Sequence, residues 1–492
     1  MKKIILFVSL FLFSLSGIRA EDYNLTLEES IEIAKEKSYR MKQLAQTMKI
    51  AEYNLKSTTS RLKTHINLDL TAPDYAETVR ERADSSGVFY SVKQLSYSGR
   101  LRISQPLPTD GQIYVNTNLS TLKDYHDSFR SSNLNTRIGF SQPLDIIYGY
   151  SQIQSELKNA RLNYENSSKA YKREELQLIY DISNSYYNLL SLQKQKEIAQ
   201  LNLERQTEAY EISKNKFEAG LIREVDALQM EVDLAEAQSS HDMVVLNEYS
   251  AINSFKEDLG INLDDNVTLS SDLKYKAILV NPDQAVEYAL KNRSELRERD
   301  IQIEMAKISI KQQKVNGLPR GSVNAYYEQV GFDMSKVNLN VDHSITNSYK
   351  NFFDRGPSFG VGFTVSIPIL DFGENRAQVR AAEARLLNSE YQKITLEREI
   401  EIGVRNLVAS ISSNLKRLQM LEKNLSIAEK SFDITLQRYS DGDIDSQSLA
   451  LERNRLNNAY TSHLGAYIQY QLSLAQLMRQ TLYDFEREIL VD

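Results

Sequence analysis

The sequence predicts a mainly helical chain, built as a duplicated long helical hairpin with membrane-type β-strands set between the helices. Three observations carry this. Helix breakers are scarce and clustered: 8 Pro and 18 Gly in 492 residues, with no Pro in 144–281 or 369–492. Two heptad seams recur at a constant offset of 222 residues. Several segments between the helical stretches alternate strictly between apolar and polar residues, the period of a strand with one apolar face.

The first residues carry a targeting signal. Lys2 and Lys3 precede an apolar run from Ile4 to Leu15, and a polar stretch ends in Ile18-Arg19-Ala20. This is the layout of a secretory signal peptide over 1–20, and the apolar run is too short to span a bilayer. Removing it shifts the formal charge from −7 to −10. Residue 21 is Glu and the chain holds no Cys, so the expectation is an exported, unlipidated protein without disulfides, thiolate metal sites or a cysteine nucleophile. A pI near 5.6 argues against nucleic-acid binding. Mean hydropathy of −0.45 excludes a bundle of membrane-spanning helices.

The long helices come next. Tyr150–Glu218 contains no breaker, and Glu374–Ser440 contains only Gly403. Stepping 4 and 3 from Leu178 reaches Ile182, Leu189, Leu192, Ala199, Leu203, Tyr210 and Phe217, interrupted by Ser185, Lys196, Gln206 and Ser213. The equivalent seam from Ile400 reaches Val404, Leu407, Ile411, Leu418, Leu421, Leu425, Ala428, Phe432 and Tyr439, interrupted by Asn414 and Thr435. Such seams call for packed partner helices. Glycine turns at 219–221 and 440–443 end each long helix, with Gly220 and Gly442 at the left-handed position that follows a helix terminus. Returning helices follow, giving hairpins over 150–258 and 374–485. Leading helices of about 30 residues align at an offset of 255, Glu28–Lys56 over Asp283–Lys311. The chain therefore divides into a first repeat, 21–260, a joint, 261–281, and a second repeat, 282–492.

The strands lie at 66–140 in the first repeat and 323–369 in the second. Phe359, Val361, Phe363, Val365 and Ile367 form the lipid-facing side of a segment ending at Ile369. Val323, Ala325 and Tyr327 alternate in its partner. Ile66, Leu68 and Leu70, then Leu134, Ile138 and Phe140, mark two strands of the first repeat. Between them, Leu101 and Ile103, then Ile113, Val115 and Leu119, flank a Pro108-Thr109-Asp110-Gly111 turn. Residues 73–98, 121–132 and 332–355 are expected as outer loops. The 99–119 pair reads either as barrel wall or as a hairpin lying outside a barrel. Without Trp, an aromatic girdle would use Phe89, Tyr90, Tyr97, Tyr114, Tyr326, Phe352 and Phe359.

Taken in order, these features resemble the TolC-type outer-membrane efflux protein family over essentially the whole mature chain. The carriers are the duplication, Tyr186-Tyr187-Asn188-Leu189-Leu190, the first tip Phe217-Glu218-Ala219-Gly220-Leu221 with Val225-Asp226-Ala227-Leu228, the second tip Arg438-Tyr439-Ser440-Asp441-Gly442, and Leu472–Leu477. The resemblance implies a homotrimer with a β-barrel in outer-membrane lipid and an α-barrel tunnel through the periplasm. It implies passive export of drugs, toxic compounds or polypeptides, energised by an inner-membrane pump of RND, ABC or MFS type through a periplasmic membrane-fusion adaptor. The family pattern of four strands per chain gives twelve; loop lengths here permit six. Adaptor docking is expected at Ala219, Gly220, Leu221, Asp441, Gly442 and Asp443. The periplasmic gate candidates are Asp226, Tyr439, Asp441, Asp443 and Asp445. The second tip departs from the family pattern, with Ile444, Ser448 and Leu451 where a basic residue and two aspartates are usual. The three turn aspartates read either as a displaced acidic ring favouring cations or as a solvated turn.

No enzymatic activity, cofactor or metal is expected. HExxH, GxSxG, Walker A and GxGxxG motifs are absent, and His65, His126, His241, His343 and His463 lack metal-ligand spacing. A non-pore periplasmic coiled-coil or adaptor protein and a surface adhesin remain as alternative classes.

Overall fold

The computed structural model describes residues 22–81, 87, 89–270, 273–337 and 339–490, so the signal peptide expected at 1–20 lies outside the described residues. In chain order the elements are β1 (Asp22–Leu25), α1 (Leu27–Lys37), α2 (Tyr39–Ser60), β2 (His65–Glu81), β3 (Phe89–Pro106), β4 (Gln112–Asp124), β5 (Phe129–Pro143), α3 (Gln152–Glu218), α4 (Glu224–Leu259), β6 (Asn266–Leu269), α5 (Pro282–Asn292), α6 (Ser294–Asn316), β7 (Arg320–Ser335), α7 (Val341–Asp354), β8 (Ser358–Ser366), α8 (Glu374–Asp441), α9 (Ser446–Thr481), β9 (Tyr483–Asp484) and β10 (Ile489–Leu490). They form two compact units. One gathers the described residues of Met1–Gln46, Tyr171–Ser294 and Leu396–Asp492; the other gathers Thr47–Ala170 and Glu295–Thr395.

The first unit is helical. Both seams contribute buried residues, at Leu178, Ile182, Leu189, Val404, Ile411, Leu418 and Phe432, while Phe217 at the end of α3 is exposed. Their polar interruptions take specific partners. Ser185 donates to Asp258 at 2.5 Å, Lys196 to Glu248 at 2.7 Å, and Asn414 to Ser473 at 2.9 Å, each pairing a long helix with its own returning helix. Glu248 and Ser473 are buried, and a buried polar group left without its partner costs about 1–3 kcal/mol, so their two contacts favour the observed pairing of the helices.

The leading helices depart from expectation. Each is broken once, at Ser38 (φ −61°, ψ 141°) and at Arg293 (φ −66°, ψ 124°), where the backbone turns extended for one residue. The two breaks share the 255-residue offset, and neither carries Gly or Pro to announce it. The joint is tied in by β1 and β6, which pair in parallel from Asp22↔Asn266 to Leu25↔Leu269. Tyr470, fully buried, accepts from the Ile278 N–H at 3.1 Å and donates to the Lys276 carbonyl at 2.8 Å.

The second unit carries the sheet. Among the described residues its order is β2-β3-β4-β5-β7-β8, antiparallel throughout, so the four-strand pattern is replaced by six strands in one ladder. The register separates two faces. Ile66, Leu68, Leu70, Leu101, Ile103, Ile113, Val115, Leu119, Leu134, Ile138, Phe140, Val323, Ala325, Tyr327, Phe359, Val361, Phe363 and Val365 share one side. The other side carries Asn67, Asp69, Arg100, Arg102, Asn116, Asn118, Asn135, Arg137, Asn324 and Glu328. Arg137 pairs with Glu328 at 2.7 Å and lies 4.5 Å from the Tyr326 ring centroid.

Several strand expectations are corrected. The strands run well beyond the apolar bands, to Glu81 and from Phe89, so most of 73–98 and 121–132 is strand rather than loop. Helix α7 occupies the 332–355 loop and packs on the apolar side at the outer end of β5 and β7. There Gly331 admits it: a Cβ at Gly331 would stand 2.7 Å from Phe352 atoms. β8 stops at Ser366, leaving Ile367 and Ile369 beyond the ladder, since Pro368 has no N–H to donate. Tyr114 and Tyr326, proposed for the girdle, lie on the polar side over Gly139 and Gly360.

Candidate functional site

The two hairpin tips are built alike. At the first, the Gly220 N–H bonds the Phe217 carbonyl at 2.9 Å and the Leu221 N–H bonds Lys216 at 2.8 Å. At the second, Gly442 N–H bonds Tyr439 at 3.1 Å and Asp443 N–H bonds Arg438 at 3.0 Å. Both are Schellman closures of a long helix, with the glycine at φ +70° or +86°. A Cβ on either glycine meets nothing within 4 Å. Each tip glycine therefore answers a backbone requirement and leaves an open surface. Leu221 is 73% exposed on it, flanked by exposed Ala219, and Asp441 and Asp443 are exposed on the other.

The remaining gate candidates separate by role. Asp226, in the first turn of α4, receives a two-pronged contact from Arg223, both distances 3.1 Å. Asp445 is the N-cap of α9, accepting from the Ser448 N–H at 2.9 Å. Tyr439 is buried in a cluster with Ala209, Met230, Phe432, Leu449 and Leu456. Lys216 lies 4.7 Å from its ring centroid and donates to its backbone carbonyl at 2.6 Å, bridging the tip ends of α3 and α8. Burial raises the Tyr439 phenol above its ordinary value.

The Arg223 guanidinium holds the Asp226 carboxyl below its ordinary value, and the Ser448 hydrogen bonds do the same for Asp445. A depressed carboxylate contributes stability that is present above the unfolded pKa and lost as pH falls through the folded one. Protease sensitivity of the tips should therefore stay constant from about pH 5 to 8 and rise only below about pH 4. Limited proteolysis across that range checks it.

Sequence reasoning missed a second constellation nearby. The Arg453 guanidinium pairs with Asp233 at 3.3 Å and also donates to Gln206, while Gln229 donates to Asp233 at 2.8 Å. Asp233 and Gln206 are buried, so this group ties the first hairpin to the second in a poorly hydrated place. Its one legible signal was Gln206 interrupting an apolar seam. Asn457, donating to Asn202 at 3.0 Å, adds a parallel tie.

The fold is thus a duplicated pair of capped helical hairpins joined in one chain to a two-faced antiparallel sheet, the build of an outer-membrane channel protein. The chain belongs to the outer membrane efflux protein family, whose model matches residues 31–254 and 285–481. The alkaline protease secretion protein AprF of Pseudomonas aeruginosa is 20% identical to it, over 71% of each chain. Among solved structures, a membrane protein from Pseudomonas aeruginosa superposes with a TM-score of 0.68 at 15% identity, covering 92% of this chain and 93% of its own. The CmeC outer membrane channel of Campylobacter jejuni gives 0.66 at 14% identity, covering 97% and 92%. The family is one of channels, not enzymes, and its members work with adaptors and inner-membrane pumps in tripartite systems.

Proposed function

We propose that this chain, exported through its N-terminal signal, is the outer-membrane channel-tunnel of a tripartite efflux or type I secretion system. It acts as a homotrimer whose sheets form a barrel and whose hairpins form a periplasmic tunnel. Cargo passes without chemistry, and the pump supplies the energy. The observation that carries this reading is the repeated tip: two identically closed helix ends with exposed Ala219, Gly220 and Leu221 on one and Asp441, Gly442 and Asp443 on the other. These offer uncluttered backbone and short side chains to an adaptor hairpin. The two-faced sheet supports it from the membrane side, because one face suits lipid and the other water.

Single-channel recording of the purified protein in planar bilayers tests the reading; folded protein that forms no pore would defeat it. Within that experiment, Asp441→Asn with Asp443→Asn should lower cation preference, since copies gathered round one axis place those carboxylates beside the mouth. Unchanged reversal potentials would leave both residues as turn formers.

A further inference from the structure

We propose that all six strands of each chain enter the membrane wall, so that three copies close an eighteen-stranded barrel through the edges β2 and β8. This rests on the trimeric-channel reading given above.

The β3–β4 hairpin is integral to the ladder. β3 pairs with β2 from Ile66↔Ile103 to Glu81↔Phe89, with one irregularity between Thr71 and Asp74, and β4 pairs with β5 from Gln112↔Ser141 to Asp124↔Phe129. Its apolar residues continue the lipid-type face, with Ile66, Ile103, Val115, Ile138, Tyr327 and Phe359 on a single rung across all six strands. Its inner turn is also locked. The Asp110 carboxylate accepts from the backbone N–H groups of Gln152 at 2.8 Å and Ile153 at 2.7 Å, capping the start of α3, and Ser151 donates to it at 2.9 Å. A hairpin swung out of the wall would forfeit that cap and expose the facing edges of β2 and β5.

The repeat arithmetic agrees. The offset between halves falls from 255 at the leading helices to 222 at the seams, so the first half holds 33 more residues between them. That surplus is about one hairpin of the length of β3–β4.

Two edges stay open. β2 is exposed along all 17 residues and β8 along all but one, and each has a single ladder partner among the described residues. Unpaired backbone groups are not tolerated in hydrocarbon, so in a membrane these edges need partners. β2 runs outward and β8 inward, so β8 of one copy meets β2 of the next antiparallel, and the head-to-tail contact closes a ring. At 4.8 Å between strands and a 40° tilt, eighteen strands give a backbone diameter of about 36 Å, against about 24 Å for twelve. The bore cross-section is roughly doubled.

The chain has no native Cys, so introduced pairs are read without background. In the full-length protein in membranes, Ile66→Cys with Ile103→Cys should oxidise to a disulfide, whereas Ile66→Cys with Ile138→Cys should not. Those two stand on one rung with β3 and β4 between them, about 14 Å apart. Crosslinking of Ile66 to Ile138 would overturn the proposal. Leu68→Cys combined in turn with Val361→Cys, Phe363→Cys and Val365→Cys should give covalent dimers and trimers at one register; none at any register would also overturn it. Deleting 82–128 joins outward β2 to inward β5 and should lower the size cut-off for polyethylene glycol entering from the outer side, with about half the barrel conductance. An assembled deletion protein with unchanged cut-off would count against the hairpin as wall. Wild-type protein that makes no pore, with Ile66→Cys variants that crosslink as expected, would instead discard the channel reading and keep the strand order.

Discussion

Arg453→Ala is expected to loosen the packing of one hairpin on the other near the tips by about 2–4 kcal/mol, because it strands a buried carboxylate. Asp233 would keep only the Gln229 donor, and Gln206 would lose its guanidinium partner. Hydrogen exchange should accelerate in the stretches around Gln206, Asp233 and Arg453 while the sheet stays protected. In bilayers the same variant should show more frequent or larger openings. Asp233→Asn should cost less, since a neutral amide is cheaper to leave buried. Asp233→Leu with Arg453→Met should recover much of the lost stability, because replacing both partners removes the stranded charge. If the double variant is as open as Arg453→Ala, the tie acts through packing of the arginine stem instead.

The second large effect is at a glycine far from either tip in sequence. Gly260 closes α4 at φ +73°, and a Cβ there would stand 2.6 Å from the Lys37 carbonyl oxygen and 2.8 Å from the Ser38 Cα. Both obstacles are backbone, at the break between α1 and α2, and cannot swing aside. Gly260→Ala should therefore cost about 3 kcal/mol or more, the left-handed penalty adding to the clash. Gly442→Ala, with the same handedness but open space, should cost only about 1 kcal/mol. Denaturant midpoints of the two variants measured side by side separate the terms.

Much of this architecture was legible because its long helices are so poor in breakers. Gly220 and Gly442 located both tips, and the turn residues themselves define where α3 and α8 stop. The interrupted seams were legible as seams, but not the identity of their partners. Asp233 and Arg453 are 220 residues apart, and nothing local in either neighbourhood announces the other. Strand lengths were underestimated for a different reason. Beyond Leu70 and before Leu101 both faces carry polar residues, so the period-two signal fades while the backbone ladder continues. Helix α7 went unread because its buried face is Ser344 and Ser348, small residues chosen for close approach to Gly331 rather than for hydrophobicity. Tyr439 packs in a cluster with Phe432 and Leu449, as an aromatic at a seam position is drawn between helices.

The paired breaks at Ser38 and Arg293 date the parts of the molecule. A bend with no sequence signature, standing at the same place in both halves, is best explained by descent from a single ancestral half that already had it. The two Schellman tips share that age. The β3–β4 hairpin and helix α7 do not: each belongs to one half only, and both lie in the strand-bearing unit. The two halves have thus diverged mainly within the strand-bearing unit, while the helical hairpins keep the common plan.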